Sequence, residues 1–303
     1  MLPNEVMRAA ILFFASVVVL SGSAAHALTT NLVPVADTSV HASFPDNNFG
    51  GGTSFTSGHG NIGTTATRAL LRFDIASRIP AGATINGATL TLTVINVNGP
   101  DSTFMLHRLL ASWGEGNGSD RSIGSPATPG EATWNNRLAP STAWATPGGD
   151  FVLTASASQA VVGFGAQSFS SDGLAADMQL WLDNPGTNFG WLLLSDAEAV
   201  SGTIRRFAGR LDPNTPPQLV VDYTPAASPA TPPVLTNLVR IGDEFIFSFD
   251  AESNRTYVVE FRDSLTAGDW SAMTTNPAQP AAATLHVTNV ISSDQRLFRV
   301  RTP

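Results

Sequence analysis

Ala88-Thr-Leu-Thr-Leu-Thr-Val-Ile95 alternates threonine with aliphatic residues at a period of two. That pattern predicts a half-buried antiparallel strand, one face against a core and the other toward water. Asn86-Gly87 and Asn98-Gly99 flank it and read as turn signals. Working outward, Arg68-Ala-Leu-Leu-Arg-Phe-Asp-Ile75 and Phe189-Gly-Trp-Leu-Leu-Leu194 are further strands, and Gln218-Leu-Val-Val-Asp-Tyr223 closes the series. Gly114–Gly149 is rich in Gly, Ser, Pro and Asn and reads as loop. One helix is expected over Ser171–Leu182, with Leu174, Met178, Trp181 and Leu182 on its apolar face and a stop at Asn184-Pro185-Gly186. Short strands, long loops and a single helix predict an all-β fold, an antiparallel jelly-roll-like β-sandwich with one short helix.

The ends divide off from this unit. Residues 1–27 carry Arg8, the apolar run Ala9–Leu20 and a small-residue cleavage motif ending at Ala27, the layout of a secretory signal peptide. The run is too short for a membrane span, which needs about 20 residues, so no membrane span is expected after cleavage and the protein is read as secreted and extracellular. Thr224-Pro-Ala-Ala-Ser-Pro-Ala-Thr-Pro-Pro233 cannot donate a regular ladder of hydrogen bonds. It places a first domain at 28–224, a Pro-rich linker at 225–233 and a second domain at 234–303. In the second domain Glu244–Phe249, Thr256–Phe261, Thr284–Thr288 and Leu297–Arg301 alternate as strands, which suits a small immunoglobulin-like β-sandwich.

Composition removes whole classes of chemistry. Among 303 residues there is no cysteine, and all 16 basic residues are arginine against 24 acids, a net charge of −8. Disulfides, thiolate metal sites, cysteine nucleophiles, the P-loop lysine and Schiff-base chemistry are excluded. A net negative chain without a basic run is poorly suited to nucleic acid, which is bound by neutralising phosphates.

Several stretches of the first domain resemble the DNRLRE domain family, secreted bacterial β-sandwiches related to carbohydrate-binding modules. They are Ala36-Asp37-Thr-Ser-Val40, Asp46-Asn-Asn-Phe-Gly-Gly51, Arg68–Asp74, Ile79–Leu90, Trp113-Gly-Glu-Gly116, Ala132-Thr-Trp-Asn135, Trp144–Asp150, Asp177–Trp181, Asn188–Trp191, Arg206-Phe-Ala-Gly-Arg210 and Pro217–Tyr223. The resemblance implies a β-sandwich and a polysaccharide partner, acidic in one branch of the family. The C-terminal domain resembles the sandwich modules that end such chains, which implies a spacer or attachment role.

Candidate site residues follow from the chemistry of sugars. An indole stacks on the apolar face of a pyranose, and Trp113, Trp134 and Trp144 lie in or beside polar loops where an aromatic ring has few structural uses. Trp181 and Trp191 are expected in the core. Arginine pairs bidentately with a uronate carboxylate, and the candidates are Arg68, Arg72, Arg137, Arg206 and Arg210. Arg68 and Arg72 share a strand face. Calcium is the one candidate cofactor, with Asp37, Asp46 and Asn48 as ligands and Asp120 and Asp150 in the long loops. The competing reading of those residues is Asx-turn chemistry. Gly58-His-Gly-Asn-Ile-Gly63 lacks the helix that a dinucleotide site requires, and the histidines lack metal spacing. The expectation is a noncatalytic polysaccharide-binding protein. A structural or adhesive protein binding an envelope component or another protein is the alternative, and a polysaccharide-cleaving enzyme the third.

Overall fold

Period-two segments crowd together in one antiparallel sandwich. The computed structural model describes residues 26–60, 66–97, 99–119, 122–226, 232–292 and 295–302. Residues 1–25 of the expected signal segment 1–27, and Asp120, lie outside them. The chain separates into one compact unit over Ala25–Ala226 and another that includes Ala227–Pro303. No helix among the described residues is long and apolar enough to cross a membrane.

In chain order the strands of the first unit begin with β1 (Leu28–Leu32), β2 (Ala36–His41), β3 (Asn47–Asn48), β4 (Ser54–His59) and β5 (Ala66–Arg72). Next come β6 (Thr84–Val97), β7 (Ser102–Arg108), β8 (Ser125–Pro126), β9 (Asn136–Leu138) and β10 (Thr142–Ala143). The series ends with β11 (Ala157–Val161), β12 (Gly165–Ser170), β13 (Trp191–Ser195), β14 (Arg205–Ala208) and β15 (Gln218–Thr224). One sheet holds β1, β15, β6 and β12, with β14 joining β6 to β4; the other runs β2-β5-β13-β7-β11. β4 pairs with β14 along most of its length and with β5 at Gly58 and His59, so it curls one sheet into the other. Successive strands β5, β6 and β7, and then β11 to β14, alternate between the sheets, the crossing connectivity of a jelly-roll-like sandwich.

The alternation of β6 is realised as burial: Ala88, Leu90, Leu92 and Val94 are buried and the threonines between them are half-exposed. Asn86-Gly87 departs from the turn its sequence predicts. It makes no turn; β6 runs through it, and the pairing of Asp222 with Gly87 and Tyr223 with Ile85 makes Asn86 a bulge. The helix α1 (Asp172–Asp183) starts where expected, because the Ser171 hydroxyl accepts the Leu174 N–H at 3.2 Å and caps it. Its Leu174, Met178 and Trp181 join Leu90, Leu92, Leu106, Trp191 and Phe207 in the main core between the sheets. Asp177 is buried with them because its carboxylate accepts the Trp191 indole N–H at 2.8 Å and pairs with Arg108 at 2.8 Å.

A second core lies on the opposite face of the β2-β5-β13-β7 sheet. Leu71 and Leu193 point into the main core, whereas Leu70, Leu192 and Leu194 point the other way, with Ala36, Val40 and Leu109. The 109–151 excursion covers that face with Trp113, Ala132 and Trp144. The stretch read as open loop is therefore a layer of the fold.

The second unit has two three-stranded sheets. One contains β16 (Thr236–Ile241), β17 (Glu244–Ala251) and β20 (Ala283–Val290); the other contains β18 (Tyr257–Arg262), β19 (Ser271–Asn276) and β21 (Leu297–Arg301). Phe247, Phe249, Tyr257, Val259, Val287 and Phe298 form their core.

Candidate functional site

The tryptophans expected as sugar platforms do not stand free. Trp113 is 3% and Trp144 4% exposed. The Trp113 indole donates to the Phe189 carbonyl at 2.8 Å and that of Trp144 to the Thr133 carbonyl at 3.0 Å. Each ring fills the second core and its polar edge is satisfied there, so these two are structural. Trp134 is half-buried and lies under the Arg68 guanidinium, 5.2 Å from its ring centre.

Three of the five arginine candidates are committed to protein acceptors, and a fourth lies over an aromatic ring. Arg68 forks onto Glu198 at 2.8 and 2.9 Å and is flanked by Trp134 and Phe151. Arg72, on the same strand face as expected, lies over Trp113 at 5.5 Å. Arg137 donates to the Ser112 carbonyl and hydroxyl, both at 3.0 Å. Arg210 forks onto Glu115.

The calcium set is likewise used internally. The Asn48 amide donates to the Glu115 and Ala132 carbonyls at 2.8 and 2.9 Å, and its oxygen accepts the Gly50 and Gly118 N–H groups at 3.0 and 2.9 Å. Both lone pairs of that oxygen are taken, so Asn48 has none left for a cation. It stitches Asp46–Gly51 to Trp113–Gly118, and the approach is so close that a Cβ on Gly118 would sit 2.0 Å from the Asn48 carbonyl oxygen. Asp46 accepts from the Asn135 amide at 2.9 Å. Asp150 accepts the Ala145 and Thr146 N–H groups, both at 2.9 Å, and so closes its own loop from four and five residues downstream. Among the described residues no three His, Asp or Glu side chains form a metal-binding group. Calcium or EDTA is expected to leave the thermal unfolding midpoint where it is; a rise of several degrees in calcium would restore the site.

Asp37 accepts the Arg210 backbone N–H at 2.5 Å, and its own N–H donates to Glu115 at 2.8 Å. Burial raises its pKa from 3.8 to about 7, the Arg210 N–H opposes that shift and the Glu115 charge adds to it.

What remains is a cleft toward the end of the same strand. β2 presents Asp37, Ser39 and His41 at alternate positions, and β14 sets Arg206 directly across from Thr56 of β4. Ser39, His41, Phe49, Gly52, Ser54, Thr56, Gly118, Ser119 and Arg206 line a small, shallow opening continuous with solvent. The neighbouring Arg205 turns inward and is fully buried. Arg206, one residue on, faces outward and is half-buried; among the described residues its guanidinium has no hydrogen bond or ion pair. Among the described residues no carboxylate lines the cleft. The Ser39 hydroxyl accepts the Thr56 N–H at 2.7 Å, and His41 Nε2 lies 3.1 Å from Thr56 Oγ1. The His41 ring stacks on Phe49 at 3.9 Å, and burial drives its pKa down to about 3, so the imidazole is neutral at ordinary pH.

No protein-family model and no curated protein matches the chain. Five guanidinium donors, four hydroxyls and the stacked Phe49 and His41 rings, around an opening with no acid among its described residues, suit a small anion carried on a polar body.

Proposed function

We propose that this protein is a secreted, noncatalytic module that binds polysaccharide through its first β-sandwich, taking the carboxylate of an acidic sugar at Arg206. The observation that carries the reading is the contrast among arginines: Arg68, Arg137 and Arg210 are spent on protein groups and Arg72 lies against Trp113, whereas among the described residues Arg206 has neither a partner nor a carboxylate in the cleft it faces. The hydroxyls of Ser39, Ser54, Thr56 and Ser119 offer further hydrogen bonds to a sugar ring. The resemblance to the DNRLRE family agrees with such a partner. A noncatalytic role is supported by His41, whose low pKa and contact with Thr56 make it a poor general base.

The adhesive reading, in which the sandwich binds another protein or an envelope component, is favoured by one observation. With Trp113 and Trp144 buried, the described residues of the first unit present no broad aromatic platform of the kind on which many sugar sites rest. Affinity electrophoresis through polygalacturonate separates the two. At low salt the mature chain is expected to be retarded, R206Q to lose about tenfold in affinity, and R78Q, which removes the same charge at an exposed site, to behave as wild type. No retardation by any acidic or neutral polysaccharide would leave the adhesive reading.

A further inference from the structure

The second unit carries a cationic face that the acidic composition conceals. On the outer side of the β19-β18-β21 sheet, Glu260 and Arg262 alternate with core-facing Val259 and Phe261. Arg299 lies across from Glu260, and Arg301 follows two residues later on the same side of β21. Glu260 is buried and accepts the Arg299 and Arg301 Nε–H groups at 2.6 and 2.9 Å. One carboxylate thus holds two guanidinia by their Nε edges. Their Nη groups make no hydrogen bond among the described residues. Trp270 fixes two of the cations in place, with the Arg262 and Arg299 guanidinia 4.7 and 4.4 Å from its ring centre. Arg262 has one committed donor, to the Leu265 carbonyl at 3.1 Å. Asp263, the acid next to Arg262, is taken by Arg296 at 2.7 and 3.0 Å.

Three guanidinia against one buried carboxylate leave this face positive in a chain of net charge −8. We infer that it is a docking surface for an acidic polysaccharide, whose spaced carboxylates pair with the open Nη edges of Arg299 and Arg301. Charge complementarity selects an anionic partner, and charge density narrows the choice. Nucleic acid needs many phosphates neutralised along a long track, which a few guanidinia on a net negative chain cannot do. Spaced carboxylates need only the planar, bidentate match that arginine provides. Trp270 is already covered by guanidinia, so it orders the cations and does not act as a sugar platform. The surface shares its ligand class with the Arg206 cleft and shares no residue with it.

The test is binding of the mature chain to polygalacturonate, with neutral dextran, single-stranded DNA and anionic lipid vesicles as alternatives, at low salt and at about 0.3 M. R299Q/R301Q is expected to weaken polygalacturonate binding about tenfold at low salt, with the loss shrinking at high salt. R240Q, at an exposed arginine on the other sheet, is expected to bind as wild type. Should R299Q/R301Q fail to fold, A272E decides. Ala272 is exposed directly across from Glu260, and a carboxylate there repels the ligand while all three arginines stay in place. Wild-type binding by both variants would overturn the proposal, as would tighter binding of DNA or vesicles than of polygalacturonate. A loss confined to R206Q would refute this surface alone, and a loss confined to R299Q/R301Q would refute the cleft alone.

Discussion

Trp144→Ala is expected to destabilise the first unit by about 3–5 kcal/mol, the usual cost of deleting a large aromatic ring from a packed interior. Trp144 is 4% exposed and packs in a cluster with Leu70, Leu109, Ala132 and Leu192. Its removal opens a cavity beneath the 109–151 layer and leaves the Thr133 carbonyl without the indole N–H it accepts at 3.0 Å. Both losses act on a layer that glycine-rich connections alone cannot hold against the sheet. Chemical denaturation of the mature chain provides the measurement. A surface tryptophan acting as a sugar platform would behave in the opposite way, with polysaccharide retardation lost and unfolding changed by less than about 1 kcal/mol. That outcome would return Trp144 to the ligand and remove the second core from the account of stability.

The same residue shows where sequence reading reached and where it stopped. The β6 alternation and the α1 face were legible because each follows one period, and burial of Ala88, Leu90, Leu92, Leu174 and Met178 matches it. The second core follows no period: its covering layer is irregular backbone, and Trp113 and Trp144 are brought there by tertiary packing. A signal did exist on the other side of the contact. Trp191-Leu-Leu-Leu194 is a continuous apolar run, the mark of a strand buried on both faces, and such a strand requires a layer over each face. β16 was missed for the converse reason: all six of its residues are exposed, so no burial pattern is written into them. The arginines divide along a similar line. Parity placed Arg68 and Arg72 on one face, but only the packed structure distinguishes cations stacked beneath aromatic rings from Arg206 in an open cleft. Arg206 shares its motif with Arg210, and spacing cannot tell which of the two meets Glu115.

Asp37→Asn is expected to remove a pH dependence of about 4 kcal/mol from the stability of the first unit. The Asp37 carboxyl is 3% exposed, and burial lifts its pKa from 3.8 to about 7. Between those values the folded chain keeps a proton that the unfolded chain has released. Stability contributed by Asp37 is therefore greatest below about pH 4, falls as pH rises to about 7, and stays low above that. About three pKa units correspond to about 4 kcal/mol. The asparagine introduced by D37N does not ionise, and its amide oxygen can still accept the Arg210 N–H as the carboxyl oxygen does. Its NH₂ occupies the place of the acid's O–H, beside Glu115, whose charge contributes to the raised pKa. Unfolding free energies of wild type and D37N, measured in parallel from about pH 4 to about pH 8, cancel the contributions of other titrating groups. The variant should match wild type near the acid end of that range and exceed it progressively toward the alkaline end. A difference that stays flat across this range would mean that Asp37 is ionised in the fold, with the Arg210 N–H and guanidinium outweighing its burial.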